Sequence, residues 1–271
     1  MKITVILPTY KEALYLDLCI QSFYETQFYD NDLIVIVDGF YDLNKKVLNK
    51  YKDKNFKIII NEKNKGIAFS QNIGVEQAKT EKILIINDDN VFTKGWDKQL
   101  LEAWNFMQYN KKQNNFFFVP NQIEPNRSIF KSFLYYNFGL NVNEFNLNTF
   151  LEKEQKLRIN KIDEYGWTLP IYMNKNDYMK VGGWDVNYNS PHYVDLDFFY
   201  KLQLCSMKSF RVHSCNFYHF GGKATKNSDN KETKEMKKHF TELENKALLE
   251  FKNKWKFVPV RNQINYIIKT N

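Results

Sequence analysis

The chain has 271 residues, 43% of them apolar, enough to bury one large domain or a domain with an appendage. A net charge of +8 and a pI of about 9.1 favour polyanionic ligands, but the lysines are scattered and no nucleic-acid motif accompanies them, which argues against a specific nucleic-acid reader. Cys19, Cys205 and Cys215 form no CxxC pair, so they imply no disulfide framework and suit a reducing compartment.

The opening MKITVILPTY lacks the long apolar core of a secretion signal, and no window is apolar for long enough to span a bilayer. The expectation is a cytoplasmic protein, soluble or peripheral at the cytoplasmic membrane face.

In chain order, Ile3 to Leu7 is a short β-branched run ending at Pro8, a buried-strand pattern. Glu12 to Tyr24 carries Leu14, Leu18, Ile20 and Phe23 at roughly helical spacing. Leu33 to Val37 predicts a second strand ending in Asp38-Gly39, and Leu43 to Tyr51 a helix. Lys57 to Ile60 predicts a third strand, Ile67 to Ala78 a helix opened by Gly66, and Ile83 to Ile86 a fourth strand. Alternation with short connections predicts an α/β fold, a mostly parallel sheet with helices on both faces. Right-handed crossovers then gather Pro8-Thr9, Asp38-Gly39 and Asn87 to Asn90 on one edge.

A helix is predicted from Trp96 through Tyr109, and a strand over Phe116 to Pro120. Asn121 to Asp163 is the least readable segment and is expected to pack over the site as an insertion or lid. Tyr165 to Asp185 holds an apolar strand and then Gly182-Gly183-Trp184. From Lys223 the chain is Lys-rich and partly helical, with Phe240, Leu243, Ala247, Leu248 and Phe251 at helical spacing.

The most informative stretch is Ile83 to Trp96, ILIINDDNVFTKGW. A buried strand that delivers two adjacent carboxylates at its end is costly unless a positive charge sits there. Mg²⁺ or Mn²⁺, which prefer oxygen ligands and bridge to phosphates, are the natural occupants. Strand ends of open α/β sheets are also where ligands bind. The competing reading is an Asp/Asn-rich turn.

The ordered set of motifs resembles the inverting family 2 glycosyltransferases with the GT-A fold. ITVILPTYKEALYLDLCIQSF resembles the family's opening strand, Pro-Thr-Tyr and first helix. IVIVDGF resembles its second strand, with Asp38 alone where two Asp are usual. Asn87-Asp88-Asp89 stands at the usual Asp-x-Asp metal motif. MKVGGWDVNY resembles Val-Gly-Gly-Phe-Asp, HYVDLDFFYKL the acidic motif with Val194 where an acid often stands, and YHFGGKAT a downstream His motif.

The resemblance implies a GT-A domain over residues 1–225, with a nucleotide-sugar half at 1–120 and an acceptor and catalytic half at 121–225; the Lys-rich, helically spaced sequence beyond it predicts a basic helical tail at 226–271. It implies transfer of a sugar from a nucleoside-diphosphate sugar to a hydroxyl of a glycan, lipid-linked glycan or protein. A UDP-sugar is the default donor and a dTDP-sugar shares the same N3 edge.

Asp89 is expected to hold Mn²⁺ or Mg²⁺, with Asp88 or Asn87 assisting, and His219 is a further candidate ligand that suits Mn²⁺ better, against an ordinary hydrogen-bonded histidine near the core. Asp88 is equally a candidate for the donor ribose or sugar. Asp195 is the candidate general base, with an N-cap as its competing use. Asp197 would share its face on a strand but diverge by about 200° on a helix. Pro8, Thr9, Tyr10 and Asp38 are candidates for nucleotide recognition, since an Asp accepts from a uracil N3–H and an aromatic ring covers its face. Lys65 and Glu12 are secondary candidates, against a solvated lysine and a helix-dipole glutamate. Trp184 and Trp167 are candidates for sugar stacking, with core packing in competition, and His192 shapes the loop before the acidic motif. A catalytically degenerate binding or partner subunit and a sugar nucleotidyltransferase are the alternative functions. The basic tail is open to peripheral contact with an anionic membrane.

Overall fold

The computed structural model describes residues 2–126, 134–164, 166, 168–188, 193–221, 234–257, 260–261 and 266–267. The first half alternates as expected: β1 (Ile3–Thr9), α1 (Ala13–Thr26), β2 (Asp32–Asp38), α2 (Tyr41–Lys50), β3 (Lys57–Asn61), α3 (Ile67–Gln77) and β4 (Lys82–Ile85). After β4 come β5 (Asn90–Val91), α4 (Trp96–Asn105) with a π-helical turn at Phe106–Asn110, and β6 (Phe116–Glu124). Next are β7 (Leu134–Tyr135), α5 (Leu147–Lys153), β8 (Ile162–Glu164), β9 (Ile171–Asn174) and α6 (Lys175–Lys180). The chain then forms α7 (Val194–Leu204), β10 (Lys208–His219), α8 (Lys234–Trp255) and a short pair, β11 (Val260–Arg261) with β12 (Tyr266–Ile267).

The main sheet runs β3-β2-β1-β4-β9-β6-β10-β5, with β7 beside β6 and β8 beside β10. β3, β2, β1 and β4 are parallel, β9 is antiparallel to both of its neighbours, and β10 is parallel to β6. β1, β2 and β4 read as continuous apolar runs because helices cover both faces there, whereas Ile58 and Ile60 of the edge strand β3 stay exposed. Leu16, Ile20 and Phe23 of α1 and Trp96, Leu100 and Trp104 of α4 pack on one face. Ala68 and Val75 of α3, Phe198 and Leu202 of α7, and Ala247 and Phe251 of α8 pack on the other.

The predicted boundary at Pro120 moves. The strand predicted to end at Pro120 continues to Glu124. Proline has no N–H for the ladder, and the pairing slips there: Pro120 faces Val212 while Asn121 faces Asn216, a bulge in β10 that absorbs the missing donor. Of the segment expected as a lid, residues 121–124 are therefore central sheet. Leu134–Tyr135 and residues 162–163 also join the sheet, as β7 and in β8, and the part around α5 forms a third layer in which Phe150 and Leu151 pack on Ile123, Tyr218 and Phe220.

Among the described residues, no helix is long and apolar enough to cross a membrane.

Candidate active site

The C-terminal ends of β1, β2 and β4 meet on one edge, and each delivers a candidate side chain there. Thr9, the last residue of β1, donates its hydroxyl to Asp88 Oδ2 at 2.7 Å. Asp88 and Asp89 are 3% and 1% exposed. Burial and the neighbouring Asp89 charge push the Asp88 carboxyl up to about 7. Glu12, half-buried at the start of α1, adds to that repulsion.

Asp97 provides the control for this pair. It is 0% exposed, and its carboxylate accepts from Phe28 N, Tyr29 N, Lys98 N and Asn31 Nδ2 at 2.6–3.0 Å. A structural buried aspartate looks like that: its lone pairs are consumed by fixed amide donors. Asp88 takes a single side-chain hydrogen bond, from a neutral hydroxyl, and keeps a raised carboxyl.

The loop carrying Asp88 and Asp89 is tied to the far side of the sheet. Asn90 of β5 pairs with His219 of β10, and Phe220 N donates to Asp89 O at 3.2 Å. His219 Nε2 thereby lies 3.5 Å from Asp89 Oδ2, while its Nδ1 lies 2.7 Å from Glu124 Oε1. With Nδ1–H donating to Glu124, the Nε2 lone pair faces the Asp89 oxygen. Burial alone would lower the imidazole pKa, but the Asp89 charge and the Glu124 hydrogen bond outweigh it and raise it.

Two acceptor atoms facing each other invite a proton or a cation between them. The carboxylate oxygen and imidazole nitrogen form a donor set that fits Mn²⁺, and Glu124 is the outer carboxylate that orients such a histidine. Among the described residues, no group of three or more His, Cys, Asp or Glu side chains is arranged to hold a metal by itself. Ions of this class commonly take one or two carboxylates and complete their shell with water and substrate phosphates, so a partial protein shell fits.

Asp38 closes the edge on the β2 side. Its Oδ1 accepts from Asn61 Nδ2 at 2.9 Å and Lys65 N at 2.8 Å, and its Oδ2 accepts from Gly66 N at 2.9 Å. The carboxylate thus pins the β3–α3 loop. It is Lys65's backbone that reaches Asp38, while the ammonium lies 4.4 Å from the centre of the Phe69 ring. Pro8 is buried in β1 opposite Ile36. Tyr10, just past β1, meets Phe40 edge-on at 5.0 Å, and the Lys11 ammonium sits over both rings at 4.9 and 4.5 Å. Buried Asn44 donates to both Tyr10 O and Phe40 O, locking the two loops together. Phe40 was not singled out in the sequence, yet it is 47% exposed with φ +52°, a left-handed conformation that bulky residues avoid.

Asp195 lies in the first turn of α7, partly exposed, with Oδ1 accepting from Leu196 N at 2.8 Å. The helix separates it from Asp197, which is 0% exposed and packed inward. Asn87 is partly exposed, and its carbonyl accepts from Asn90 N at 3.3 Å, so its backbone shapes the metal-motif turn.

Trp184 is 2% exposed and stacks on Phe198 at 5.2 Å and 6°, packing that argues for the core use that competed with sugar stacking. The turn before it is glycine for steric reasons. A Cβ on Gly183 would stand 2.5 Å from Asn72 Oδ1, which accepts from Trp184 N and Tyr178 Oη. Trp167 and His192 lie outside the described residues.

Glu124 is the functional residue that sequence reasoning missed. The sequence carries no clear signal for it, because Pro120, Asn121 and Gln122 interrupt the apolar run before Ile123 and Glu124.

Among solved structures, S. aureus TarS 1–349 in complex with UDP superimposes with a TM-score of 0.58 at 16% identity, over 93% of this chain and 72% of that one. GalNAc-T7 with UDP, GalNAc and Mn²⁺ gives 0.59 at 14% identity, over 80% of this chain and 43% of that one. Both are GT-A folds, and the expected fold class is the one observed. An uncharacterized glycosyltransferase of Haemophilus influenzae is 33% identical over 111 residues, 40% of this chain and 43% of that protein. The teichoic acid poly(glycerol phosphate) polymerase of Staphylococcus epidermidis is 30% identical over 92 residues, 33% of this chain and 13% of that protein. The chain thus spans less than half the length of these two relatives. Residues 4–165, more than half of the chain, match the description Glycosyl transferase family 2, and the chain belongs to that family.

Proposed function

We propose that the protein is a metal-dependent inverting glycosyltransferase that moves a sugar from a nucleoside-diphosphate donor, by preference a UDP-sugar, to a hydroxyl of a glycan-type acceptor. The observation that carries this reading is the Asp89–His219–Glu124 arrangement on the same sheet edge as Asp38. The UDP bound to TarS 1–349 and the UDP and Mn²⁺ bound to GalNAc-T7 support it.

Tyr10 covers the face of the base, and Asp38, which pins the β3–α3 loop with three of its lone pairs, offers the base edge the remaining one on Oδ2. Asp89 and His219 hold the cation, with Asp88 and Thr9 beside them and Glu124 fixing the imidazole. A bound Mn²⁺ or Mg²⁺ supplies charge neutralisation for the departing diphosphate. Asp195 takes the proton of the acceptor hydroxyl, whose oxygen attacks the anomeric carbon from the side opposite the leaving group, so the configuration inverts. The base role follows from family position and from partial exposure at a helix start.

The domain assignment stays a proposal, with residues 1–225 as the GT-A unit. So does a peripheral contact of the exposed lysines of α8, Lys238, Lys246 and Lys252, with an anionic membrane. Binding to anionic vesicles at low salt tests that contact, and no binding removes it.

A donor-hydrolysis screen tests the main reading. The chain is mixed with UDP-, GDP- and dTDP-sugars plus Mn²⁺, Mg²⁺ or EDTA, beside Asp89→Ala. Metal-dependent release of one nucleoside diphosphate, lost in the variant, is expected. No metal-dependent binding of any nucleotide would overturn the reading.

A further inference from the structure

The C-terminal helix α8 was expected as a basic tail, and the structure ties it to the segment that bears Asp195. Lys254 Nζ lies 2.7 Å from Asp197 Oδ1 and 2.5 Å from Asp185 Oδ2. The neighbouring Trp255 donates its indole N–H to the same Asp197 Oδ1 at 2.7 Å. Asp197 is 0% exposed, and its other neighbours are Lys201 at 3.7 Å and the Tyr188 hydroxyl at 3.4 Å. One turn earlier on α8, Phe251 is 0% exposed and meets the ring of Tyr193 at 6.1 Å.

Tyr193 is the residue on which α7 starts, and it holds φ +62°. A tyrosine keeps a left-handed backbone only where its surroundings over-determine it. Tyr193 O accepts from Asp197 N at 2.9 Å, closing the first turn around Asp195. α8 therefore grips both ends of that turn: Phe251 at Tyr193, and Lys254 with Trp255 at Asp197. Asp195 is the partly exposed carboxylate between them.

We propose that α8 is the positioning element of the catalytic base, and that Lys254 and Trp255 are positioning residues acting on Asp195 through Asp197. The inference rests on the reading of Asp195 as the base. A clamp of this kind is chemically apt at a helix start. The first turn has no preceding turn to hold it, so its aim drifts unless tertiary contacts fix it. A misplacement of about 1 Å at a reacting group costs on the order of 100-fold in rate. The contact is charge-assisted and anchored on the buried Asp197 carboxylate, while Lys254 itself stays about a third exposed.

The test uses the full chain with Trp255→Phe, Lys254→Met, Lys254→Arg and, as reference, Asp195→Asn. Trp255→Phe keeps a ring against Tyr200, 4.6 Å away, and removes the N–H. Three quantities are read: UDP affinity with Mn²⁺ by calorimetry, UDP release from the UDP-sugar that the unmodified chain turns over, and amide hydrogen exchange of residues 193–197.

In Lys254→Met and Trp255→Phe, UDP affinity is expected to stay within about 2-fold, release to fall on the order of 10–100-fold, and exchange at 193–197 to rise selectively. Lys254→Arg should recover most of the rate. If the variants only melt earlier, with release and 193–197 exchange unchanged, α8 is mere support and the proposal is overturned. If Asp195→Asn keeps full turnover, the base reading fails instead, and the exchange result still decides the clamp. If no UDP-sugar is turned over, exchange alone decides.

Discussion

The proposed donor edge and the turn that bears Asp195, the proposed base, are held by opposite means. At the donor edge, Thr9, Asp38 and Asp88 sit at or just beyond the ends of parallel strands, and the sheet itself sets their spacing. At the other place, Asp195 sits on a helix start gripped by residues more than 50 positions further along, Trp255 being 58 from Asp197. A site on strand ends inherits its geometry from backbone hydrogen bonds. A site on a helix start must obtain it from side chains of another element. Substitutions at the two places should therefore fail differently: at the edge binding is lost with the fold intact, and at the turn rate is lost with binding intact.

The largest effect is expected at the edge. Asp89→Ala removes the carboxylate that faces His219 Nε2, so metal-dependent nucleotide binding should vanish and turnover fall by about 100–1000-fold or more. Its melting temperature should hold or rise, since a buried charge beside Asp88 is gone. A variant that instead unfolds, read by circular dichroism, would make Asp89 a structural acid like Asp97 and erase the contrast between the two regions.

The next effect sharpens the same comparison inside the edge. Glu124→Gln keeps a polar partner for His219 Nδ1 but removes the charge, and outer-shell changes of this kind typically cost about 10–100-fold in metal affinity. Titration with Mn²⁺ in the presence of UDP measures it. An unchanged affinity would place Glu124 in the fold rather than in the site.

What could be read in the sequence follows the same divide. Asp88 and Asp89 were legible because a carboxylate at the end of an apolar run is a local signal, complete within ILIINDD. The alternation of strands and helices was legible for the same reason. Glu124 lacked that signal, since Pro120, Asn121 and Gln122 break the apolar run before it, and only the bulge at Val212 and Asn216 shows how β6 passes the proline. Trp184 was undecidable, since Gly-Gly-Trp fits a ligand platform and a tight turn equally, and the deciding partner, Asn72, lies 112 residues away. The α8 clamp was illegible altogether. Lysines at the end of a basic helix look solvated until Asp185 and Asp197 are placed against them.

Asp88 supplies a pH prediction. Its carboxyl is pushed up by burial and by Asp89, to about 7 in the metal-free chain, above its unfolded value. The folded state then holds the proton more tightly than the unfolded state does. Asp88 therefore favours folding at low pH, and this advantage is lost as pH rises from about 4 to about 7. The metal-free chain should lose stability on the order of a few kcal/mol across that window from this group, and Asp88→Asn should flatten the loss. Mn²⁺ with UDP should reverse the trend, because binding gains from the deprotonated form. Urea melts at pH 5 and pH 8, with and without Mn²⁺ and UDP, measure both. A metal-free chain equally stable at both pH values, with Asp88→Asn unchanged, would show that the two carboxylates are not repelling each other.

The smallest effect concerns Phe40, where the edge departs from strand-imposed geometry. Its φ of +52° costs a non-glycine residue about 1–2 kcal/mol, while its ring, 47% exposed, recovers little by burial. Asn44 holds the loop in place through Tyr10 O and Phe40 O, and these are backbone contacts that survive loss of the ring. Phe40→Gly should therefore leave stability unchanged or raise it by up to about 1 kcal/mol. What the ring can contribute is a face beside Tyr10 for the base of a bound nucleotide, and a stacked base is worth about 1–3 kcal/mol. UDP affinity in Phe40→Gly should accordingly fall several-fold or more, with affinity for inorganic diphosphate unaffected. Equal losses for both ligands would mean that the loop had moved, and that this corner of the edge, like the base-bearing turn, depends on side chains for its shape.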